Sequence, residues 1–437
     1  MKLLLVGVGV TTPLVLGSLV ARWESLSLEH ICLYDVSPDR TRSLAALIAF
    51  VQDAHPYARI TMTSELRVAE AAAPDCCVVS IRPGLEQGRV ADELRAKALG
   101  YLANETVGAA GLAFACRALP AAEALVQRIE AANPDCVFVN FTNPAGIVTA
   151  GLARRPGRTV YGVCSSAEKS ARALGMPGRV LAYGLNHLSW VYAIERDGVD
   201  ELPLVLADDA LLEIAQPWFP PSVPRGYRAL ANEYLYYYDL HARAMAAQRA
   251  ATSTRAEVVE RLNASCRAEL KAAGADSKLA YSAYTAYLAR RKRSYMAGAF
   301  ESGGDQVLND DDGYSGPAIR VIEGAVLGRE RFVTAITAND VAPHLPAGIG
   351  IECTVAFQDR RVRKIVPTSL APRATSLIKQ IAAYEAMVLE ALTTAHVDGL
   401  VAALELHPLT PDTDTNASFV ARTVAAWPEV FASWSRG

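Results

Sequence analysis

Residues Tyr183 to Tyr192 read YGLNHLSWVY, an apolar and aromatic run with Asn186 and His187 side by side in its middle. Buried polar atoms need hydrogen-bond partners, so an amide and an imidazole in such a run require an explanation. The run predicts one buried β-strand with the two side chains on opposite faces. His187 is then either a core histidine tied to a backbone carbonyl or a ligand for something the strand delivers. Earlier in the chain, TVYGVCSS predicts a strand that ends at Cys164, a residue type that by itself reads as a small buried hydrophobe. Two more apolar stretches, DCCVVSIR and DCVFVNFTN, end in polar residues: Ser80 and Arg82, then Asn140, Thr142 and Asn143. Ligands of open α/β sheets bind at the carboxyl ends of strands, so Arg82, Asn140 and Asn143 fall where a ligand would sit.

The elements that would position these groups begin at the N-terminus. KLLLVGVG predicts a strand ending in Gly7 and Gly9, followed by Thr11, Thr12 and Pro13. Thr12 then reads as a helix N-cap with proline at the first helical position. HICLYDVSPDR predicts a second strand ending in Asp35. This is the layout of a dinucleotide-binding βαβ unit: glycines let backbone approach a pyrophosphate, and the acidic residue accepts the ribose hydroxyls. Thr12 stands where the third glycine of that fingerprint would be. Asp35 favours NAD over NADP, while Arg40 lies close enough to keep the choice open. Gly7, Gly9, Thr11, Thr12, Asp35 and Arg82 form the predicted cofactor set.

The 437 residues, 51% hydrophobic and 20% charged, are enough for two domains or one α/β domain with a large appended part. A net charge of −3 gives no electrostatic case for nucleic acid or an anionic membrane as partner. The eight cysteines contain no CxxC pair and are too sparse for a disulfide scaffold, which predicts reduced thiols and a cytoplasmic protein. The apolar N-terminal run is broken by glycines, threonines and Pro13, so it reads as strand, turn and helix rather than a leader. No other segment reaches the ~18 apolar residues of a membrane span. The predicted fold is α/β: a Rossmann-type doubly wound parallel sheet over residues 1–195. An appended α+β substrate-binding and oligomerisation domain follows over 196–437. In the latter, 240–300 reads as helix, RFVTAITAND, GIGIECTVAF and RVRKIV as strands, and the segment after Ala371 as helix.

Several segments taken in order resemble the family 4 glycoside hydrolases, NAD- and manganese-dependent enzymes best known as 6-phospho-glucosidases. They are VNFTNPAG (Val139 to Gly146), GVC (Gly162 to Cys164) and GLNHLS (Gly184 to Ser189), with RPGLEQGRVADE, NET, NEYLYYY and LELHPLTPD elsewhere. The resemblance implies that Cys164 and His187 ligate a divalent metal, Mn²⁺ or another, and that Tyr234 is the base. It places Arg89, Asn104, Glu105, Asn143 and Asn186 on a small-molecule glycoside substrate, and implies a homodimer or homotetramer. The implied chemistry removes hydride from C3 of the sugar to NAD and a proton from C2, and expels the glycosidic oxygen by elimination. This is an exception to the two-carboxylate route. Spacing alone leaves Tyr234, with Tyr237 and Tyr238, readable as a core stripe of a helix.

Four departures from the family pattern stand out. The glycine loop is one residue short, Ser165 follows Cys164 where relatives carry Asn, Asp or His, and Glu233 replaces a proline before Tyr234. NDDDGYS (Asn309 to Ser315) stands where an arginine would help hold a sugar 6-phosphate. Arg89 matches another arginine that contacts phosphate in relatives. Three aspartates oppose phosphate, so weaker phosphate binding, or an unphosphorylated sugar, is expected. The basic run Arg290 to Arg293 reads as a solvated face or a substitute clamp. Two other readings share the domain plan: an NAD-dependent dehydrogenase of lactate/malate type, in which Cys164 would be idle, and an inactive NAD-binding homologue.

Overall fold

The computed structural model describes residues 1–294 and 315–435. Its strands are β1 (Lys2–Val6), β2 (His30–Tyr34), β3 (Ile60–Thr63), β4 (Cys76–Val79), β5 (Val137–Asn140), β6 (Val160–Gly162) and β7 (Arg179–Leu185). They continue with β8 (Leu188–Arg196), β9 (Val199–Asp200), β10 (Leu230–Ala231), β11 (Arg331–Ala338), β12 (Gly350–Gln358) and β13 (Arg361–Ile365). All join one sheet in the order β10-β8-β7-β12-β11-β6-β5-β4-β1-β2-β3, with β13 added to β12 and β9 to β8.

The six strands from β6 to β3 are mutually parallel. Helices cover both faces, which is why β4 and β5 are buried along their whole length and read as unbroken apolar runs. Strand order reverses between β1 and β4, and a crevice opens at their carboxyl ends, as expected at a topological switch point. Beyond β6 the same sheet continues antiparallel: β11 touches β6 at a single register pair, Ile336 with Gly162, and then pairs with β12 throughout. β12 pairs with β7, and β7 with β8. The predicted strands of residues 331–365 are therefore present and form the middle of this extension.

The predicted strand through Asn186 and His187 is instead a hairpin. β7 ends at Leu185, β8 begins at Leu188, and the polar pair is the whole turn. Of the two, only His187 takes positive φ, 62°, a region that His enters more readily than most residues. Both arms are buried, so the apolar pattern runs on through the turn, and without an Asn-Gly or Asp-Gly signal the reversal is not legible. Among the described residues one helix, Ala109–Ala132, is long and apolar enough to cross a membrane, but 78% of its apolar window is buried inside the fold. Arg117 and Glu123 interrupt its apolar sequence.

Candidate active site

A cavity of about 690 Å³ follows the crevice, and it is lined by Gly7, Gly9, Thr11, Thr12, Asp35, Arg82, Arg89, Glu105 and Asn143. The predicted cofactor set is thus brought together with part of the substrate set. Thr12 does not cap its helix, for which Thr11 is the N-cap residue. The Thr12 hydroxyl instead accepts from Gly9 N at 2.9 Å and donates to Gly7 O at 3.3 Å, stitching the glycine turn shut. Gly7 has φ 92°, and a Cβ there would lie 2.0 Å from Ser80 O, so glycine is obligatory for the close approach of the β1 and β4 ends. A Cβ on Gly9 would meet nothing within 4 Å and would enter the cavity. This bare turn before the helix Thr12–Val20 is a cradle that a pyrophosphate fits.

Arg82 pairs with Glu105, and Arg89 lies between Glu93 at 3.0 Å and Glu105 at 3.1 Å. Burial would raise the Glu105 carboxyl, but Arg82 and Arg89 outweigh it and hold Glu105 down to about 2. Asn104 is not on the cavity wall. Its Oδ1 accepts from Thr106 N at 3.0 Å and Thr106 Oγ1 at 2.9 Å, which fixes the loop that presents Glu105. Asn140 likewise serves its own turn, bonded to Thr142 and Thr149. Arg290 pairs with Glu269. Arg291 reaches Tyr287 and Asn263 on the cavity wall, so that part of the basic run is not a solvated face. Asn309 to Tyr314 lie outside the described residues; Ser315 bonds Ser18 at 2.9 Å.

The second part of the site is off that cavity wall, within electrostatic reach of Glu105. Cys164, two residues past β6, points its Sγ at His187 Nε2 across 3.5 Å. The Tyr234 ring stacks on the His187 ring, with centroids 3.8 Å apart and planes at 17°. Burial holds His187 down to about 4, so the imidazole is neutral with a lone pair to offer, and burial pushes the Cys164 thiol up. Bonds of about 2.1 Å to nitrogen and 2.3 Å to sulfur put two ligands of one ion roughly 3.1–3.6 Å apart, between a right and a tetrahedral angle. The pair therefore fits one divalent ion. Among the described residues no cluster of three or more His, Cys, Asp or Glu forms a metal site, so two donors would leave positions open for substrate oxygens.

A hydrogen-bond network that the sequence reading missed ties these groups together. Glu352 on β12 accepts from Asn186 Nδ2 at 3.1 Å and from Ser189 Oγ at 2.6 Å, strapping both sides of the His187 turn. Asn232 Nδ2 donates to Ser189 Oγ at 3.3 Å and to Ser166 Oγ at 3.1 Å, and Ser166 Oγ lies 3.0 Å from Cys164 Sγ. Asn232 Oδ1 accepts from Tyr234 N at 3.1 Å, which holds the turn carrying that tyrosine. Glu233, the replacement for the family's proline, is buried and pairs with Lys169 at 2.5 Å. The signal for Glu352 was present in GIGIECTVAF, where one charge sits in an otherwise apolar strand and must find partners.

Comparisons with known proteins bear on the family and the fold. The model of the family 4 glycosyl hydrolases matches residues 2–174, and the model of their C-terminal domain matches 182–410. A maltose-6'-phosphate glucosidase of Bacillus subtilis is 28% identical over 203 residues, 44% of this chain and 45% of that one. The chain spans about half the length of several curated relatives that it matches. A probable 6-phospho-beta-glucosidase of the same organism is 24% identical over 434 residues, 94% of this chain and 92% of the other. The fold is similar to that of the 6-phospho-beta glucosidase from Thermotoga maritima, solved with manganese, NAD+ and glucose-6-phosphate, with a TM-score of 0.79 and 21% identity over 98% of this chain and 99% of that one. Two family models that between them run from the first strand to past His407 leave one conclusion: the chain belongs to family 4 of the glycosyl hydrolases.

Proposed function

We propose that the chain is an NAD- and manganese-dependent glycosidase that cleaves by transient oxidation at C3 and elimination between C1 and C2 of the sugar. The observation that carries this reading is the Cys164–His187 donor pair with Tyr234 stacked on the histidine, within electrostatic reach of Glu105 on the wall of the dinucleotide cavity. When bound, the nicotinamide exchanges hydride with the sugar and the divalent ion draws electron density from its hydroxyl oxygens. The cradle of Gly7, Gly9, Thr11 and Thr12 holds the dinucleotide phosphates, and Cys164 and His187 hold the ion.

Tyr234 takes the C2 proton. A phenol ordinarily titrates near pH 10, so it needs positive charge nearby, and the partly buried Arg89 guanidinium is close enough to interact with it. Stacking on His187 fixes the plane of the phenol ring and thereby its hydroxyl. Asn143 and Glu105, both on the cavity wall, orient sugar hydroxyls, as does Asn186 where the turn presents it. Ser165 leaves the departing oxygen without the side chain relatives carry there, which suits a leaving group such as a phenolate.

The sugar is proposed to be bound without strong reliance on a 6-phosphate. Arg82 and Arg89 share Glu105, Arg89 also faces Glu93, and Lys169 faces Glu233, so each of these three cations already has a carboxylate partner. The test is a panel of phosphorylated and free aryl glycosides assayed with NAD and Mn²⁺, with and without chelator. Chelator is expected to abolish turnover and Mn²⁺ to restore it; full activity in chelator overturns the mechanism. A preference of a hundredfold or more for phosphorylated substrates, about 2.7 kcal/mol, overturns the substrate reading alone.

A further inference from the structure

Dinucleotide choice in βαβ folds is set at the end of the second strand, where an acidic residue accepts the ribose hydroxyls of NAD and an arginine accepts the 2'-phosphate of NADP. This chain carries both types, Asp35 and Arg40, and both line the cavity. Asp35 is buried, with Oδ2 accepting from Val8 N at 2.9 Å and Oδ1 from Ser37 N at 2.8 Å. Its carboxylate is therefore fixed in place by the backbone at the ends of β1 and β2. Arg40, in the first turns of the helix Pro38–Ala54, does not extend freely into the cavity. Its Nη2 lies 2.6 Å from Glu86 Oε2, and the two side chains are only 18% and 15% exposed.

Glu86 comes from across the crevice, in the first turn of the helix Leu85–Ala98, where the helix dipole favours a carboxylate. Its other oxygen lies 3.4 Å from Asn263 Nδ2 and 3.6 Å from Arg267 Nη1. Burial alone would raise the Glu86 carboxyl, but Arg40, the backbone at its own helix start, Arg267 and Arg82 hold it below the usual range, so it stays ionised. Asn263 and Arg267 sit on the helix Arg255–Ala273, whose start is fixed by a capping box between Thr254 and Glu257. That helix also carries Glu260, on the cavity wall and 3.9 Å from Arg267. The corner thus gathers the carboxylates of Asp35, Glu86 and Glu260 around Arg40 and Arg267, and Arg82 and Arg291 also line the cavity.

We propose that Glu86 is the specificity-determining residue for the dinucleotide: by engaging Arg40 it removes the guanidinium at the end of the second strand that would accept a 2'-phosphate and makes the site selective for NAD. The inference rests on the dinucleotide reading of the cavity given above. A 2'-phosphate brings nearly two negative charges up against Glu86, which its neighbours keep ionised. Opening the Arg40–Glu86 pair to receive it would leave Glu86 buried against the phosphate. Replacing Glu86 by glutamine keeps the shape, removes the charge and frees Arg40, while Arg267 keeps Glu260 at 3.9 Å.

The test measures dissociation constants of NAD and NADP by titration calorimetry on the full chain, without substrate, for the wild type, Glu86→Gln, Arg40→Ala and the double variant. The wild type is expected to prefer NAD by about tenfold or more, and Glu86→Gln to tighten NADP about tenfold, because a charge-assisted pair to phosphate replaces a repulsion. Arg40→Ala alone is expected to move the NAD to NADP ratio by less than about threefold, since Arg40 is already engaged, and to remove most of the gain when added to Glu86→Gln. A ratio unchanged in Glu86→Gln overturns the proposal, as does an NADP affinity that falls about tenfold in Arg40→Ala alone, which would show that Arg40 reads the phosphate despite Glu86. A wild type that prefers NADP overturns it too. A wild type that binds neither nucleotide overturns the dinucleotide reading itself and this inference with it, whereas normal NAD binding with an unchanged ratio sinks this inference alone.

Discussion

At the carboxyl end of β1 the cavity wall includes a backbone turn, left bare by Gly7 and Gly9 and held by one threonine hydroxyl. Around β7, β8 and β12 the work is done by side chains: a thiol, an imidazole, two serines, two asparagines and a carboxylate in one connected network. The first region binds through geometry that a short local sequence dictates. The second depends on residues up to 188 positions apart, Cys164 and Glu352, meeting inside a sheet. A backbone cradle is robust to many substitutions but fails at its glycines. A side-chain network fails at each member, by an amount set by how directly that member touches the chemistry.

The largest expected effect falls on the member that handles a proton. Tyr234→Phe deletes one hydroxyl and leaves the stack on His187, so fold and NAD affinity should persist while kcat falls by about 10²–10⁴-fold. Solvent deuterium should enter C2 during wild-type turnover and not in the variant. Near-normal turnover in Tyr234→Phe would return this tyrosine to a packing role and leave the side-chain region without its base.

The two glycines divide the backbone region into what the fold needs and what the ligand needs. Gly7→Ala puts a Cβ 2.0 Å from Ser80 O in a positive-φ position, so the β1 and β4 ends must part. A loss of about 2–4 kcal/mol of stability is expected, from backbone strain and overpacking together. Gly9→Ala meets no atom within 4 Å, so its melting temperature should hold while NAD affinity falls about tenfold, its methyl occupying ligand space. Thermal melts and calorimetry on both variants check this. Equal destabilisation by the two would show that the turn as a whole, and not Gly7, closes the crevice.

The contrast between the regions also explains what could be read from the sequence. The parallel strands were legible because each is an apolar run ending in polar residues, and the glycine turn after β1 because its spacing is local. Cys164, His187 and Tyr234 were reached through resemblance; their residue types alone left core packing open. The Asn186–His187 turn was not legible because burial on both arms erased the change of direction. Glu352, Asn232 and Ser166 were missed because their roles exist only after β7, β8 and β12 have paired. Asn232 tests that point. It is buried, joins Ser166, Ser189 and the Tyr234 backbone, and does not line the cavity. Groups that orient metal ligands typically contribute 10–100-fold in metal affinity, so Asn232→Ala should weaken Mn²⁺ by that order and leave NAD affinity unaltered. Manganese titration by calorimetry that gave wild-type affinity would show the network to be a packing device only.

The smallest expected effect concerns pH and a carboxyl with no hydrogen-bond partner on one oxygen. Glu385, on the helix Pro372–Thr394, is buried with Oε2 unpaired, and burial followed by the charge of Glu352 pushes it up to about 8; Glu352 is likewise pushed up to about 8, by burial first and then by Cys164. His187 and His407 are shifted the other way by burial, to about 4 and about 3. The signs separate in pH. The histidines, depressed in the fold, lose stability only as pH falls below their unfolded value of about 6.5. The carboxyls, raised in the fold, are protonated there while the unfolded chain has ionised, so their contribution is complete below about pH 4.5 and is lost as pH rises toward 8. Between pH 6.5 and 8 only the carboxyls act. Metal-free protein should therefore become less stable across that window, by on the order of 1 kcal/mol per pH unit for each carboxyl at most, a drop of a few degrees in melting temperature. Glu385→Gln removes one carboxyl and eases the other, because the two charges oppose each other, and should flatten the slope by at least about half. Melts of chelator-treated wild type and variant at pH 6.5 and pH 8 measure this directly. A wild-type stability that is level or rises over the window would mean that both carboxylates are ionised and solvated, and that the side-chain region is wetter than its packing implies.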